Sequence, residues 1–247
     1  MTTTDQPGRT AATPTDPRRS WIRLLVWAVA VSAGVDLAVM ALLGEVIPPV
    51  AAGAVISFVG IALLGRWPGA GIRLLVAVSA LLVLTSAPFA LPLVGHPESA
   101  VGFGQAVIHL GGRLVAIAAA VGAWRHGSPV IARRLGRLAA GLLAATVIIG
   151  VVGTALTTSD TPAHGDVRVA VSDFEFPAEV RVASGSSVFV ENGDVIRHTF
   201  SVEGADLSRE LPAGTGVRLR IALDPGTYRL FCNVPGHGSM EGALVVY

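Results

Sequence analysis

Five long apolar stretches constrain this chain more than any other feature of its sequence. Each approaches or exceeds the roughly 20 apolar residues that a helix needs to cross a lipid bilayer. They comprise residues 21–43, 46–64, 72–94, 105–124 and 138–156. With 52% hydrophobic and only 14% charged residues, the chain is also too apolar for an ordinary soluble protein. We predict an α-helical membrane bundle of about five transmembrane helices; the alternative for the weak second stretch is a helical hairpin that enters and leaves on one side.

The distribution of arginine predicts how this bundle is oriented. Arginines precede the first stretch, separate the second from the third, and separate the fourth from the fifth, whereas the other loops contain none. Because cytoplasmic loops carry the excess of positive charge, we predict a multi-pass protein of the cell membrane with its amino terminus in the cytoplasm. The segment after the fifth stretch is then extracytoplasmic. Since these arginines flank apolar spans and form no polar face, no nucleic-acid partner is expected.

Three ionisable residues, Asp36, His109 and Arg113, stand out because they lie well inside the apolar stretches rather than at their ends. Such residues are costly in hydrocarbon and usually face a partner or a cavity. His109 and Arg113 are four residues apart and therefore share a helix face. We predict an ion pair between Asp36 and Arg113 that fastens the first helix to the fourth. The alternatives are a proton or metal path, or a haem site that uses His109.

The sequence predicts four segments along the chain. Residues 1–20 form a disordered cytoplasmic tail, 21–158 the transmembrane domain, 159–165 a linker and 166–247 a second domain. In this last segment, apolar and polar residues alternate between Asn-Gly, Pro-Gly and other turn signals, which predicts an all-β Greek-key sandwich. The predicted strands are 167–171, 179–182, 187–191, 198–202, 217–223, 227–231 and 242–246.

One short loop of the second domain carries a thiol, an imidazole and a thioether, on Cys232, His237 and Met240. Two imidazoles and a thiolate in a trigonal arrangement, with a weak axial Met, are the ligands of a redox-active copper ion. The best candidate for the second imidazole is His198, at the start of a predicted strand. Each residue also has a purely structural interpretation, as a buried thiol, a turn histidine, a core methionine or a strand histidine. Cys232 is the only cysteine, which excludes an intramolecular disulfide and a two-thiolate copper centre.

Residues 166–247 resemble the cupredoxin family, the type 1 blue copper proteins that are similar to plastocyanin and azurin. The motifs that carry the resemblance are Asn192-Gly193-Asp194, His198-Thr199-Phe200, Asp224-Pro225-Gly226-Thr227-Tyr228, Phe231-Cys232, Pro235-Gly236-His237, and Met240 before 242–246. The resemblance implies a cupredoxin-type sandwich with one mononuclear copper ion bound by His198, Cys232, His237 and Met240. Thr199 departs from the pattern, because several relatives have an Asn there that ties the two ligand loops together; Thr can provide a similar hydrogen bond.

These observations predict a membrane-anchored type 1 copper protein that carries electrons by outer-sphere transfer on the extracytoplasmic side. Its partners would be copper, the membrane and a redox protein that docks near His237, and no enzyme activity is expected. One alternative is a copper-handling membrane protein that captures or passes on the metal. The least favoured is a redox subunit of a membrane enzyme.

Overall fold

The structure is a computed structural model that describes residues 16–247, and in this range five α-helices precede eight β-strands. The helices are α1 (Pro17–Leu43), α2 (Pro48–Arg66), α3 (Pro68–Ala90), α4 (Ala100–Trp124) and α5 (Pro129–Leu156). All five are long and apolar enough to cross a membrane, as the sequence predicts. They indicate a multi-pass membrane protein.

Proline marks where most of these helices begin. It occupies the first turn of α1, α2, α3 and α5, where a missing N–H costs nothing because it would have no partner inside the helix. At α1 the Asp16 carboxylate accepts a hydrogen bond from the Arg18 N–H at 3.0 Å. The helix therefore starts at Pro17, and the prediction of a disordered tail over residues 1–20 is wrong for its last four residues. Residues 1–15 lie outside the described part of the chain.

Helix α4 lies at the centre of the bundle and packs against α1, α3 and α5. The approach to α1 is close: a Cβ atom at Gly112 would lie 1.9 Å from Ser32 Oγ, and one at Gly122 would lie 2.4 Å from the Trp21 ring. Small residues permit such contacts between membrane helices. The predicted link between the first and fourth helices is confirmed, because Arg113 Nη2 lies 3.4 Å from Asp36 Oδ2 and both side chains are fully buried.

The strands form two facing sheets, β1-β3-β6 and β2-β8-β7-β4-β5. Pairs β1–β3 and β2–β8 are parallel, and the other pairs are antiparallel. The strands are β1 (Val167–Val171), β2 (Glu179–Val182), β3 (Ser187–Asn192), β4 (His198–Val202), β5 (Leu207–Leu211), β6 (Gly216–Arg220), β7 (Gly226–Phe231) and β8 (Glu241–Val246). Seven were predicted, and β5 was not.

The predicted linker is bound along the edge of β6. Asp160 donates its N–H to the Gly216 carbonyl at 2.8 Å, and its carboxylate accepts from the Arg218 N–H at 2.8 Å. The sandwich also contacts the end of the bundle that carries it. Ala213 N–H donates to Ser99 Oγ before α4 at 3.4 Å. The linker and these contacts hold the sandwich close to the helix ends.

Gly242 in β8 packs closely against the backbone of a neighbouring segment. A Cβ atom there would lie 2.6 Å from the Pro177 carbonyl oxygen, a backbone atom that cannot move aside cheaply. We therefore expect Gly242→Ala to lower the free energy of unfolding of the sandwich by about 2 kcal/mol, a typical cost of overpacking. The measurement is urea unfolding of the metal-free full chain, followed by labelling of the buried Cys232 thiol.

The matched control is Gly226→Ala in β7, where a new Cβ would lie no closer than 3.5 Å to any neighbour. We expect it to change the midpoint of unfolding little. Equal midpoints for the two variants would contradict the close packing at Gly242.

Candidate metal centre

Two neighbouring strands and one loop bring the predicted ligands together. His198 is the first residue of β4, Cys232 follows the end of β7, and Met240 precedes β8. The loop between Cys232 and Met240 is closed by its own backbone. Cys232 N–H donates to the Met240 carbonyl at 3.1 Å, and Met240 N–H donates to the His237 carbonyl at 2.9 Å. The sequence therefore folds its thiol, imidazole and thioether residues into one compact turn.

Three donor atoms converge at this turn. His198 Nδ1 and His237 Nδ1 are 3.1 Å apart, and Cys232 Sγ lies 3.9 Å from the former and 3.6 Å from the latter. Among the His, Cys and carboxylate groups of residues 16–247, these three side chains form the one cluster that could hold a metal ion. Met240 is 1% exposed and belongs to the same apolar core as Cys232.

The four residues differ in access to solvent. His198, Cys232 and Met240 are buried, whereas His237 is half-buried beside the exposed Pro235 and Gly236. His237 is thus the most exposed of the four, as the sequence predicts. This edge of the sandwich lies near the bundle, since a Cβ atom at Gly236 would lie 3.8 Å from the Phe89 ring near the end of α3.

The Asp194 carboxylate fixes the orientation of His198. His198 Nε2 lies 2.8 Å from Asp194 Oδ2. Because an ionised carboxylate only accepts hydrogen bonds, Nε2 carries the proton and Nδ1 keeps its lone pair toward the cluster. A carboxylate behind a ligating histidine sets its tautomer in this way. The sequence analysis missed this role of Asp194, although a carboxylate four residues before a candidate ligand was an available signal.

Asp194 also holds a strained turn between β1 and β2. Its two carboxylate oxygens accept the N–H groups of Asp173 and Phe174 at 2.8 and 3.1 Å. Both residues have positive φ angles, 56° and 61°, which are rare for residues other than glycine. The turn places the Phe174 ring edge-on against both imidazoles, with centroid distances of 5.6 Å to His198 and 5.3 Å to His237. Nothing in the sequence analysis singled out Phe174.

Thr199 joins the two ligand-bearing segments. Its Oγ1 accepts the Asn233 N–H at 2.8 Å. Its own N–H points to Cys232 Sγ at 3.4 Å. The hydrogen bond expected of Thr199 in place of Asn is therefore confirmed. An N–H aimed at the sulfur also stabilises a thiolate, the form in which cysteine binds metals.

The electrostatic surroundings keep both imidazoles neutral. Burial lowers the pKa of His198, although the nearby Asp194 carboxylate opposes this effect. Burial, then repulsion between the two imidazoles when both are protonated, and the positive charge of Arg197 lower the pKa of His237 to about 4. Near neutral pH both rings are therefore neutral, the form of histidine that binds metals.

The cluster fits a metal ion of the copper type. A first-row ion bound to nitrogen and sulfur at about 2.0 to 2.3 Å places trigonal ligands roughly 3.5 to 3.8 Å apart, close to the spacing found here. Two imidazoles and one thiolate match blue copper sites, in which the fourth ligand is a weak methionine sulfur. Only one thiolate is present, unlike the two or more of most structural zinc sites that contain cysteine.

Part of the chain is similar to known proteins. The family model described as a cupredoxin-like domain matches residues 142–246, a span that begins within α5. Among solved structures, a mutant amicyanin in the reduced Cu(I) form shares 24% identity over 35% of this chain and 86% of its own, with a TM-score of 0.30. Amicyanin from Paracoccus versutus shares 22% identity over 36% of this chain and 86% of its own, also with a TM-score of 0.30. No curated protein matches the chain.

The chain therefore combines five apolar helices with a cupredoxin-like domain. That domain and its cluster of two histidines and one cysteine indicate a copper ion.

The lowered pKa of His237 predicts how acid affects the metal-free protein. The unfolded chain binds a proton at this residue below the ordinary value of 6.5, whereas the folded chain does so only near 4. The unfolded state thus binds more protons as the pH falls through this window, and stability is lost. We expect the calorimetric melting temperature of the metal-free sandwich to drop between pH 7 and pH 4.5, and His237→Gln to reduce that drop.

His164→Gln provides the control, because His164 is an exposed residue of the linker. Its drop in melting temperature should equal that of the wild type. If His237→Gln showed the same drop in melting temperature as the wild type, the His237 imidazole would not be the source of that drop.

Proposed function

We propose that this chain is a membrane-anchored electron carrier whose single type 1 copper ion is bound by His198, Cys232 and His237, with Met240 as the axial ligand. The observation that carries the proposal is the convergence of two imidazole Nδ1 atoms and one sulfur within 3.9 Å. When bound there, copper supplies a centre that cycles between its cuprous and cupric states.

The surroundings of the cluster favour electron transfer over substrate chemistry. His198 and Met240 are almost fully buried, and His237 is the candidate ligand that comes closest to the surface. Asp194, Thr199 and the backbone of the ligand loop restrain the donor atoms from several sides. A site whose ligands move little when the charge of the metal changes is suited to outer-sphere transfer.

The half-buried His237 provides the route for the electron. It is the candidate ligand nearest the surface, and the adjacent Pro235 and Gly236 are exposed, with Phe89 at the end of α3 bordering Gly236 on one side. A redox partner docked over this edge would come within one imidazole of the metal. We propose this edge as the docking surface for that partner.

Copper handling by the helices is less well supported. His109 is the histidine that lies well inside the membrane helices, and hydrogen bonds to Asp36 and Ser86 occupy both of its ring nitrogens. It is therefore not free to receive a copper ion from the sandwich. A relay would need further soft ligands in the bundle, where Met40 is the one methionine and cysteine is absent.

The visible spectrum tests the site directly. When cupric ion is added to the purified full chain, we expect an intense thiolate-to-copper band that a reductant bleaches reversibly. Cys232→Ser should abolish the band because it removes the thiolate. Met240→Leu is the matched control, since it leaves both imidazoles and the thiolate in place and should keep the band. Weak absorption that does not depend on Cys232 would overturn the electron carrier.

The proposed location follows from charge. The arginines at the helix ends, such as Arg66 and Arg73, lie on the face of the bundle opposite the sandwich if all five helices cross. By the positive-inside rule that face is cytoplasmic. We therefore propose an extracytoplasmic sandwich and a cytoplasmic amino terminus in the cell membrane.

Reporter fusions in bacteria test this topology. Alkaline phosphatase, which is active only outside the cytoplasm, should be active when fused after Tyr247 and inactive when fused after Trp124, at the other end of α4. A fluorescent protein that matures only in the cytoplasm should give the reverse result. Phosphatase activity at Trp124 together with inactivity at Tyr247 would invert the proposed orientation.

A further inference from the structure

A second group of polar side chains, remote in sequence from the copper ligands, is buried in the middle of the helical bundle. Four helices contribute to it: Asp36 from α1, Ser57 from α2, Ser86 from α3, and His109 with Arg113 from α4. Asp36, Ser57 and Arg113 are fully buried, and His109 is 4% exposed. Ionisable groups at such depth are costly and usually serve a function.

The ion pair alone does not account for this cluster. Asp36 makes its shortest contacts with His109 rather than with Arg113: His109 Nδ1 lies 2.8 and 2.9 Å from the two carboxylate oxygens. The contact from Arg113 Nη2 to Asp36 is longer, at 3.4 Å, and Arg113 Nη1 donates instead to Ser57 Oγ at 2.8 Å. The Asp36 carboxylate therefore makes its closest hydrogen bonds with the His109 imidazole, and the Arg113 guanidinium is its second partner.

The hydrogen bonds of His109 permit two protonation states. Its Nδ1 faces a carboxylate, which only accepts, so Nδ1 carries a proton in either state. Its Nε2 lies 3.0 Å from Ser86 Oγ, and this hydroxyl also contacts the Leu82 carbonyl. A hydroxyl has one hydrogen to donate. When Ser86 donates it to Leu82, Nε2 must be protonated; when the hydroxyl turns toward His109, Nε2 is bare.

Both states satisfy every polar atom of the ring without moving a heavy atom. The charges around His109 fit this exchange as well. Asp36 and Arg113 together are neutral, so the cluster alternates between zero and one positive charge. No other charged group faces His109 from the elements packed on α4: α1 offers Asp36, Arg73 lies at the far end of α3, and the arginines of α5 lie in its first turns. His96 and Glu98, next to the 3-10 turn Pro92–Gly95, are bonded to each other at 2.7 Å.

The cluster comes nearest the molecular surface toward the end of the bundle that carries the sandwich. Ser86 is half-buried in the last two turns of α3, beside the exposed Thr85 and Pro88. A proline inside a helix removes one backbone donor and leaves a carbonyl of the preceding turn free. Toward the other end, α1 and α4 pack through apolar residues that include Leu25, Ala116 and Ala120. The cluster is thus closed on that side.

We propose that His109 is a proton-binding site in the membrane domain, which takes up one proton from water on the sandwich side and returns it to the same side. The proton binds at Nε2, the Ser86 hydroxyl turns away, and the Asp36 carboxylate stabilises the resulting imidazolium. Arg113 balances the charge of Asp36 when the His109 ring is neutral, and it positions the carboxylate. No electron is transferred in this exchange. The site does not depend on which residues bind the copper.

The test is nitrogen NMR of the full chain in lipid nanodiscs, labelled at histidine and kept reduced so that any bound copper is diamagnetic. The signals of His109 are those lost in His109→Gln. Across a pH series we expect the Nε2 signal to change from that of a protonated nitrogen to that of a bare one as the pH rises, while the Nδ1 signal stays that of a protonated nitrogen. The exposed His126 at the opposite end of the bundle serves as the internal control.

Two variants separate proton binding from a structural role. In Asp36→Asn the imidazolium loses its counter-charge, and we expect His109 to remain neutral over the whole range. In Ser86→Ala the ring should still titrate, with a changed Nε2 shift in both forms, because the hydroxyl accepts from Nε2–H in the charged form and donates to bare Nε2 in the neutral one. If Asp36→Asn does not fold, Ser86→Ala alone decides. A His109 signal that never changes while His126 titrates would overturn the proposal, as would a titration unaffected by either variant.

Proteoliposomes test the closed side. With a potassium diffusion potential as the driving force, a site open to one side only gives no proton flux beyond that of protein-free vesicles. A flux that is present in the wild type and absent in His109→Gln would overturn the one-sided site in favour of a path across the membrane.

Discussion

The arrangement of the metal cluster depends on one carboxylate. Asp194 accepts a hydrogen bond from His198 Nε2 and from the backbone N–H groups of Asp173 and Phe174. It thereby sets the tautomer of a candidate ligand and holds the strained turn that places an aromatic ring against both imidazoles. Its own position comes from Asn192, whose side-chain oxygen accepts the Asp194 N–H at 3.0 Å while its amide group donates to the Leu211 carbonyl at 2.9 Å. Groups outside the cluster of donor atoms thus hold the site in place.

Local pattern was sufficient to predict most of the architecture. The helices follow from apolar runs that have no stable position outside a bilayer, and proline at positions such as Pro48 and Pro68 marks their starts. The short spacing between Cys232 and Met240 places the three loop residues close together whatever surrounds them. His198 was harder to predict, because it is 39 residues from His237 in the sequence. The two histidines approach each other only when β4 pairs with β7.

Features that depend on distant contacts were missed. Strand β5 has a polar central sequence, Ser208-Arg209-Glu210, and is a strand because it pairs with β4 at the edge of the sheet. The role of Asp194 toward Phe174 spans 20 residues and appears only when β1 and β3 lie side by side. In the bundle, the ion pair between α1 and α4 was predictable from charge alone. The shorter hydrogen bonds between His109 and the same carboxylate were not predictable, because they depend on how the helices are rotated about their axes.

The bonds that hold the linker to β6, and the Ser99 contact to Ala213, keep the sandwich at the ends of the helices. Under the proposed function, a carrier held in this way would not shuttle through the aqueous space as a free protein does. It would meet its partners by lateral diffusion, at an encounter rate set by the number of molecules per unit area of the bilayer rather than by bulk concentration. Partners whose own redox centres lie at a similar height above the lipid would suit it.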